Sequence, residues 1–324
     1  MRLREFDLAK GIGIILVVLG HFFPEGAPHW YAVIRQVIYS FHMPLFLFVS
    51  GFVYMHTRRD ISYGAFLKKK VHRIVIPYFL VSFLFIAIKL VPQALSIYVK
   101  NPVTLSSFLK VFYYPEAAVS FWYLWALWWF FMIVPLLRSK GSRLMMLSAS
   151  VIVAWIPLGL PDVFALPKVH EMFRYFMLGV VAYDYRNYLQ WARKVPSALV
   201  YILFATLASL KFAAGVQLGL LLAVSGIWAV LRLSAGLVPA VENGRMNWLS
   251  SVASASYTIY LFHPVFIAAC LALLKAFSIP LNNGVVFAVA AACVTIVSVI
   301  GPMVIRMISE KVFSKEREDS VGAE

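Results

Sequence analysis

An all-α, polytopic membrane helix bundle is the fold class this sequence predicts, and three observations predict it. The 324-residue chain is 62% hydrophobic and only 13% charged, whereas a soluble domain is typically about half apolar and about a quarter charged. Apolar runs of membrane-spanning length recur from end to end, which a large soluble core does not explain. The cations gather in alternate segments between those runs, as the positive-inside rule requires.

About ten spans are expected, near residues 8–24, 36–55, 72–92, 118–137, 144–160, 171–185, 196–211, 214–231, 256–276 and 284–307. Each is close to the roughly 20 residues that a bilayer core demands. Residues 93–117 are too polar to cross and read as a loop, part of which lies at the interface. The stretch FFPEGAPHW after the first run has no small-x-small cleavage site, so the start reads as a span and not a signal peptide. The expected division is a membrane domain over 1–312 and a polar cytoplasmic tail over 313–324, disordered in KEREDSVGAE.

Charge sets the orientation. With the N-terminus inside, the cytoplasmic segments hold about 21 of the 29 Lys and Arg residues. That excess predicts cytoplasmic N- and C-termini and an even number of spans. It also accounts for the net charge of +15 without nucleic acid. Cys270 and Cys293 lie inside apolar runs, which indicates neither a disulfide framework nor a metal site.

The opening run, MRLREFDLAKGIGIILVVLGH, carries the first candidate chemistry. Eleven residues separate Lys10 from His21, which is three helical turns plus about 20°, so the two share a face about 16 Å apart. Asp7 is one turn before Lys10 and can pair with it; interfacial anchoring is the plainer role for that pair. An ionisable residue such as His21 within a span is costly in lipid and is a functional candidate by default, the plainer role being that a histidine this close to a helix end simply reaches the interface. His42, in FHMPLFLFVSGF, lies at matching depth in the second span, so a polar cavity opening outward is expected there.

The remaining candidates are spread along the chain. Arg58, Arg59, Lys68, Lys69, Lys70 and Arg73 form the densest basic cluster, suited to topology and lipid head groups. Arg73, at the start of the third span, presents a planar guanidinium suited to phosphate. Trp122 and Tyr123, in FWYLWALWWFF, are an aromatic belt or a stacking wall for a sugar or a cofactor arm. Glu116 precedes them as a loop carboxylate. Arg174 opposes the positive-inside trend and needs Asp162, Glu171 or an anionic ligand. His263, in SYTIYLFHP, sits well inside the ninth span. There is no P-loop, G-x-G-x-x-G, H-E-x-x-H or G-x-S-x-G motif.

In this order FDLAKGIGIILVVLGH, FHMPLFLFVSGF, RIVIPY, FWYLWALWWF, RYFMLGV and SYTIYLFHP resemble the successive segments of acyltransferase family 3. The resemblance is strongest to the branch of fucose 4-O-acetylase-like and related polysaccharide O-acetyltransferases. It implies a multi-pass enzyme of the bacterial inner membrane. Such an enzyme moves an acyl group, usually acetyl, from cytoplasmic acyl-CoA (acetyl-CoA) to a hydroxyl of an extracytoplasmic or lipid-linked glycan. His21 matches the family's essential histidine. Lys10 matches its basic partner, commonly arginine but lysine in this branch. Arg73 matches a contact to the CoA phosphates, with Lys10 and Lys70 beside it. Trp122 and Tyr123 would line the donor arm, and Glu116, Arg174 and His263 would contact the acceptor. His42 would orient His21 or donate to the oxyanion. General-base transfer and an acyl-histidine relay both stay open. A glycan or lipid transporter, flippase or export component without acyl transfer is the alternative from another class.

Overall fold

The structure is a computed structural model and describes residues 3–94, 99 and 101–321. Arg2, residues 95–98 and 100 of the expected loop, and the last three residues of the expected tail lie outside the described residues. Helices occupy every expected segment: α1 (Arg4–His21), α2 (His29–His56), α3 (Tyr63–Ala94), α4 (Trp122–Ile133), α5 (Lys140–Val153), α6 (Leu166–Asp184), α7 (Ser197–Phe212), α8 (Gly219–Glu242), α9 (Asn247–Ala276) and α10 (Gly284–Val321). No strand occurs among the described residues.

The expectation of about ten spans needs correcting. Among the described residues, five helices are long and apolar enough by themselves to count as spans: α2, α3, α8, α9 and α10 over Gly284–Lys311. A sixth is possible if Tyr188–Lys194 and Ser197–Phe212, bent by 91°, act as one. The physical reasons are length and charge. Helices α4, α5 and α7 have 12, 14 and 16 residues, fewer than a bilayer core demands. Helix α1 carries Arg4, Glu5, Asp7 and Lys10, and α6 carries Lys168, Glu171, Arg174 and Asp184.

Two boundaries also move. Helix α2 begins at His29, seven residues before position 36, because the Pro28 carbonyl already accepts from the Tyr31 and Ala32 amides. Proline just ahead of the first helical turn is well suited to that start. Helix α10 continues to Val321, through residues expected as a disordered tail.

The chain divides into two compact units, residues 1–45 with 195–324 and residues 46–194. Helix α2 supplies its first part to one and its second part to the other. In the first unit, α1 is the central helix and packs against α8, α9 and α10. Gly11 permits the close approach to α9: a Cβ there would meet Ala253 Cβ at 3.1 Å and the Leu249 carbonyl at 3.2 Å. Phe22, Tyr31 and Phe287 form an aromatic cluster beyond the end of α1.

In the second unit, α2 and α6 touch backbone to backbone. A Cβ at Gly51 would collide with the Phe176 carbonyl, and one at Gly179 with the Phe48 carbonyl. Small residues allow this approach, on which helix association in lipid depends. Gly179→Ala is therefore expected to lose about 1–3 kcal/mol, the usual cost of overpacking. The check is the thermal midpoint of the detergent-solubilised protein; an unchanged midpoint would contradict the backbone contact. Helices α5 and α6 are joined by Arg143 and Asp184, whose side chains are 7% and 5% exposed. Arg143 is thus a buried structural residue.

Candidate active site

The last turn of α1, the middle of α2 and the middle of α9 bring His21, His42 and His263 together within the first unit. The His21 ring centroid is 5.0 Å from that of His263 and 6.5 Å from that of His42, both edge to face. The sequence placed His21 and His42 at one depth. The arrival of His263 is a tertiary contact that no local spacing announces.

The three rings are held in the same way. His21 Nδ1 donates to the Val17 carbonyl at 2.8 Å, and His42 Nδ1 to Ile38 at 2.9 Å. His263 Nδ1 donates to Ile259 at 3.0 Å and to Tyr260 at 2.9 Å. A carbonyl can only accept, so Nδ1 carries the proton in each case and a neutral ring leaves Nε2 with its lone pair. His263 is fully buried, and its Nε2 has no hydrogen-bond partner among the described residues. His42 is 3% exposed, and His21 is half-buried. In its neutral form each ring thus offers Nε2 as a proton acceptor.

Arg35 and Tyr39, neither singled out from the sequence, complete this end of α1. Together with His42 they fall at i, i+4 and i+7 along one face of α2. Arg35 Nε donates to the Gly20 carbonyl at 3.0 Å, and the Tyr31 hydroxyl donates to Leu19 at 2.6 Å. Side chains of α2 thus satisfy two of the carbonyls that a helix C-terminus leaves without partners. The Tyr39 ring lies 5.8 Å from His21 and 4.8 Å from His42. The signal for Arg35 was the spacing RQVIYSFH, hidden by starting the span at 36.

At the other end of α1, Lys10 Nζ pairs with Asp7 at 2.7 Å, as their spacing predicts. Neither is brought to the histidines.

The other candidates belong to the second unit. Arg73 is exposed on the π-helical turn Val71–Val75 inside α3. The Lys70 ammonium lies 3.5 Å from the Phe131 ring centroid. Trp122 is half-buried at the start of α4. Tyr123 is a core residue whose hydroxyl shares a 3.1 Å hydrogen bond with Ser50. Glu116 pairs with Lys110 at 3.3 Å. Arg174 lies 5.0 Å from the Tyr175 ring, and Glu171, a candidate partner for it, pairs with Lys168 instead. Among the described residues, no group of three or more His, Cys, Asp or Glu could hold a metal ion.

The described residues form an all-helical protein with helices long and apolar enough to cross a membrane and a cluster of three imidazoles at one end of α1. The chain belongs to acyltransferase family 3: the family's acyltransferase domain matches residues 3–307. It is 28% identical over 181 residues to nodulation protein NolL of Sinorhizobium fredii, a match covering 54% of this chain and 47% of that protein. It is 40% identical over 70 residues to nodulation protein NolL of Mesorhizobium japonicum, covering 20% of this chain and 17% of that protein. The matches thus span less than half the length of either relative. No solved structure matches the chain.

Proposed function

We propose that this protein is an O-acyltransferase that moves acetyl from acetyl-CoA, supplied on the cytoplasmic side, to a hydroxyl of an extracytoplasmic or lipid-linked glycan. One observation carries the reading: His21 holds its proton at Nδ1, against Val17, and Nε2 has no hydrogen-bond partner among the described residues, beside two further imidazoles. The acceptor hydroxyl gives its proton to His21 Nε2 as its oxygen attacks the thioester carbonyl carbon. The tetrahedral intermediate then expels the CoA thiolate, and the imidazolium returns the proton to that sulfur. His42 and His263 keep the site polar within an apolar surround and offer acceptors that position the hydroxyl.

Both termini are assigned to the cytoplasm on the distribution of Lys and Arg, and the membrane to the bacterial inner membrane on the family resemblance. Helix α1 crosses despite its charges, because Lys10 and Asp7 neutralise each other at its cytoplasmic end. The family resemblance assigns Lys10, Lys70 and Arg73 to the anionic donor, with Arg73 the phosphate contact. Trp122 lines the donor arm, and Glu116 and Arg174 bind the acceptor.

Sidedness tests this reading. Inverted and right-side-out vesicles from cells expressing the chain are given labelled acetyl-CoA, and the label in glycan is counted. Label is expected from inverted vesicles, where the donor meets the cytoplasmic face. Equal label from intact right-side-out vesicles, or none from either, would contradict the donor assignment.

A further inference from the structure

Among the described residues, Arg35 is a cation without a counter-ion. It makes no ion pair among the described residues; its interactions are one hydrogen bond, from Nε to Gly20, and two aromatic rings. The guanidinium carbon lies 4.6 Å from the Phe23 ring centroid and 4.2 Å from that of Tyr39. The group is half-buried and held on two sides, while Nη1 and Nη2 have no hydrogen-bond partner among the described residues. Such a planar fork, fixed in advance, is suited to bidentate contact with a carboxylate or phosphate. Its location is also unusual. Arg35 stands at the His21 end of α1, opposite Arg4 and Lys10, where the positive-inside rule disfavours a cation.

Its surroundings suit a sugar. Phe23 stacks on Tyr31 at 6.5 Å and 13°, and the rings of Trp30 and Tyr39 are 43% and 37% exposed. Tyr39 packs against both Arg35 and His21, so the guanidinium stands about one ring removed from the imidazole. A donor to the reacting oxyanion must lie within about 3 Å of it. A cation one ring away instead reaches a charged substituent of the molecule whose hydroxyl meets His21.

We propose that Arg35 binds a negatively charged group, a carboxylate or phosphate, on the acceptor glycan, making the preferred acceptor an acidic saccharide. This rests on His21 being the acyl-transfer base, with the acceptor bound at its end of α1. Aromatic faces hold the sugar and Arg35 fixes its register.

The test is equilibrium binding to the purified full chain in phosphatidylcholine nanodiscs, with no acyl donor present. Trigalacturonate and neutral galactotriose are the probes, and galactose 1-phosphate is the competitor that reports whether phosphate is accepted at the same site. The wild type should bind trigalacturonate about tenfold or more tightly than galactotriose, with the difference shrinking as salt is raised. Arg35→Gln should abolish the difference and leave galactotriose binding unchanged. Arg35→Lys, which retains charge and a donor for Gly20 but loses the fork, should keep only part of it. Absence of a preference in the wild type, including failure to bind either probe, would overturn the proposal. An undiminished preference in Arg35→Gln would overturn it too, and if that variant does not fold, an undiminished preference in Arg35→Lys would do the same. A preference lost in phosphatidylglycerol nanodiscs would assign Arg35 to a lipid headgroup and overturn the acceptor assignment. Because no donor is present, failure of acyl transfer leaves this result readable, and loss of the preference leaves the role of His21 intact.

Discussion

Acetyl transfer by His21→Ala is expected to fall by roughly 100- to 10,000-fold, the contribution usual for a positioned general base. The loss should appear in the turnover rate and not in donor affinity, because the cations assigned to CoA are not part of the histidine cluster. His21→Asn should be almost as inactive. Its amide can replace the Nδ1 donor to Val17 but has no lone pair of comparable basicity. Single-turnover transfer from labelled acetyl-CoA separates the two effects. Either variant turning over at the wild-type rate, with normal thermal stability, would remove His21 from the chemistry.

The second large effect concerns stability. Arg143 gives Asp184 two hydrogen bonds, 2.6 Å from Nε and 3.2 Å from Nη2, and Nη1 reaches the carbonyls of Leu137 and Arg138. Asp184→Ala would leave a buried guanidinium without its counter-charge. Breaking such a pair from one side costs about 3–5 kcal/mol, whereas replacing both partners with apolar side chains is often close to neutral. Asp184→Ala should therefore sharply reduce the folded yield and thermal midpoint, while Arg143→Met with Asp184→Leu recovers most of both. A single variant as stable as the wild type would show that the pair contributes little.

These two residues show what the sequence made legible. His21, Lys10 and Asp7 were found because one helical period governs all three, and the Lys10–Asp7 pair forms as that period requires. The approach of His263 depends on α1 and α9 packing through Gly11 and Ala253, which no spacing within either helix encodes. Arg143 looks like any loop cation until its burial against Asp184 is seen. Tyr123, in an aromatic run that reads as an interfacial belt, is instead bonded inside the core. Arg35 escaped because hydropathy marks where a run becomes apolar, not where a helix begins. The Pro28 carbonyl starts α2 earlier and brings Arg35, Tyr39 and His42 onto one face. The same gap between hydropathy and helix length inflated the span count. An apolar run in a short helix scores like a span without having a span's reach.

The central claim is that this chain itself carries out acyl transfer. The most direct measurement uses the purified chain in liposomes containing the glycan lipids of its host and labelled acetyl-CoA, followed by mass spectrometry of the recovered glycan. The expected result is ester-linked acetyl on the glycan and stoichiometric free CoA, neither of which forms in liposomes lacking the chain. Glycan without acetyl, while the same liposomes translocate it across the bilayer, would contradict the account and place the protein among transporters.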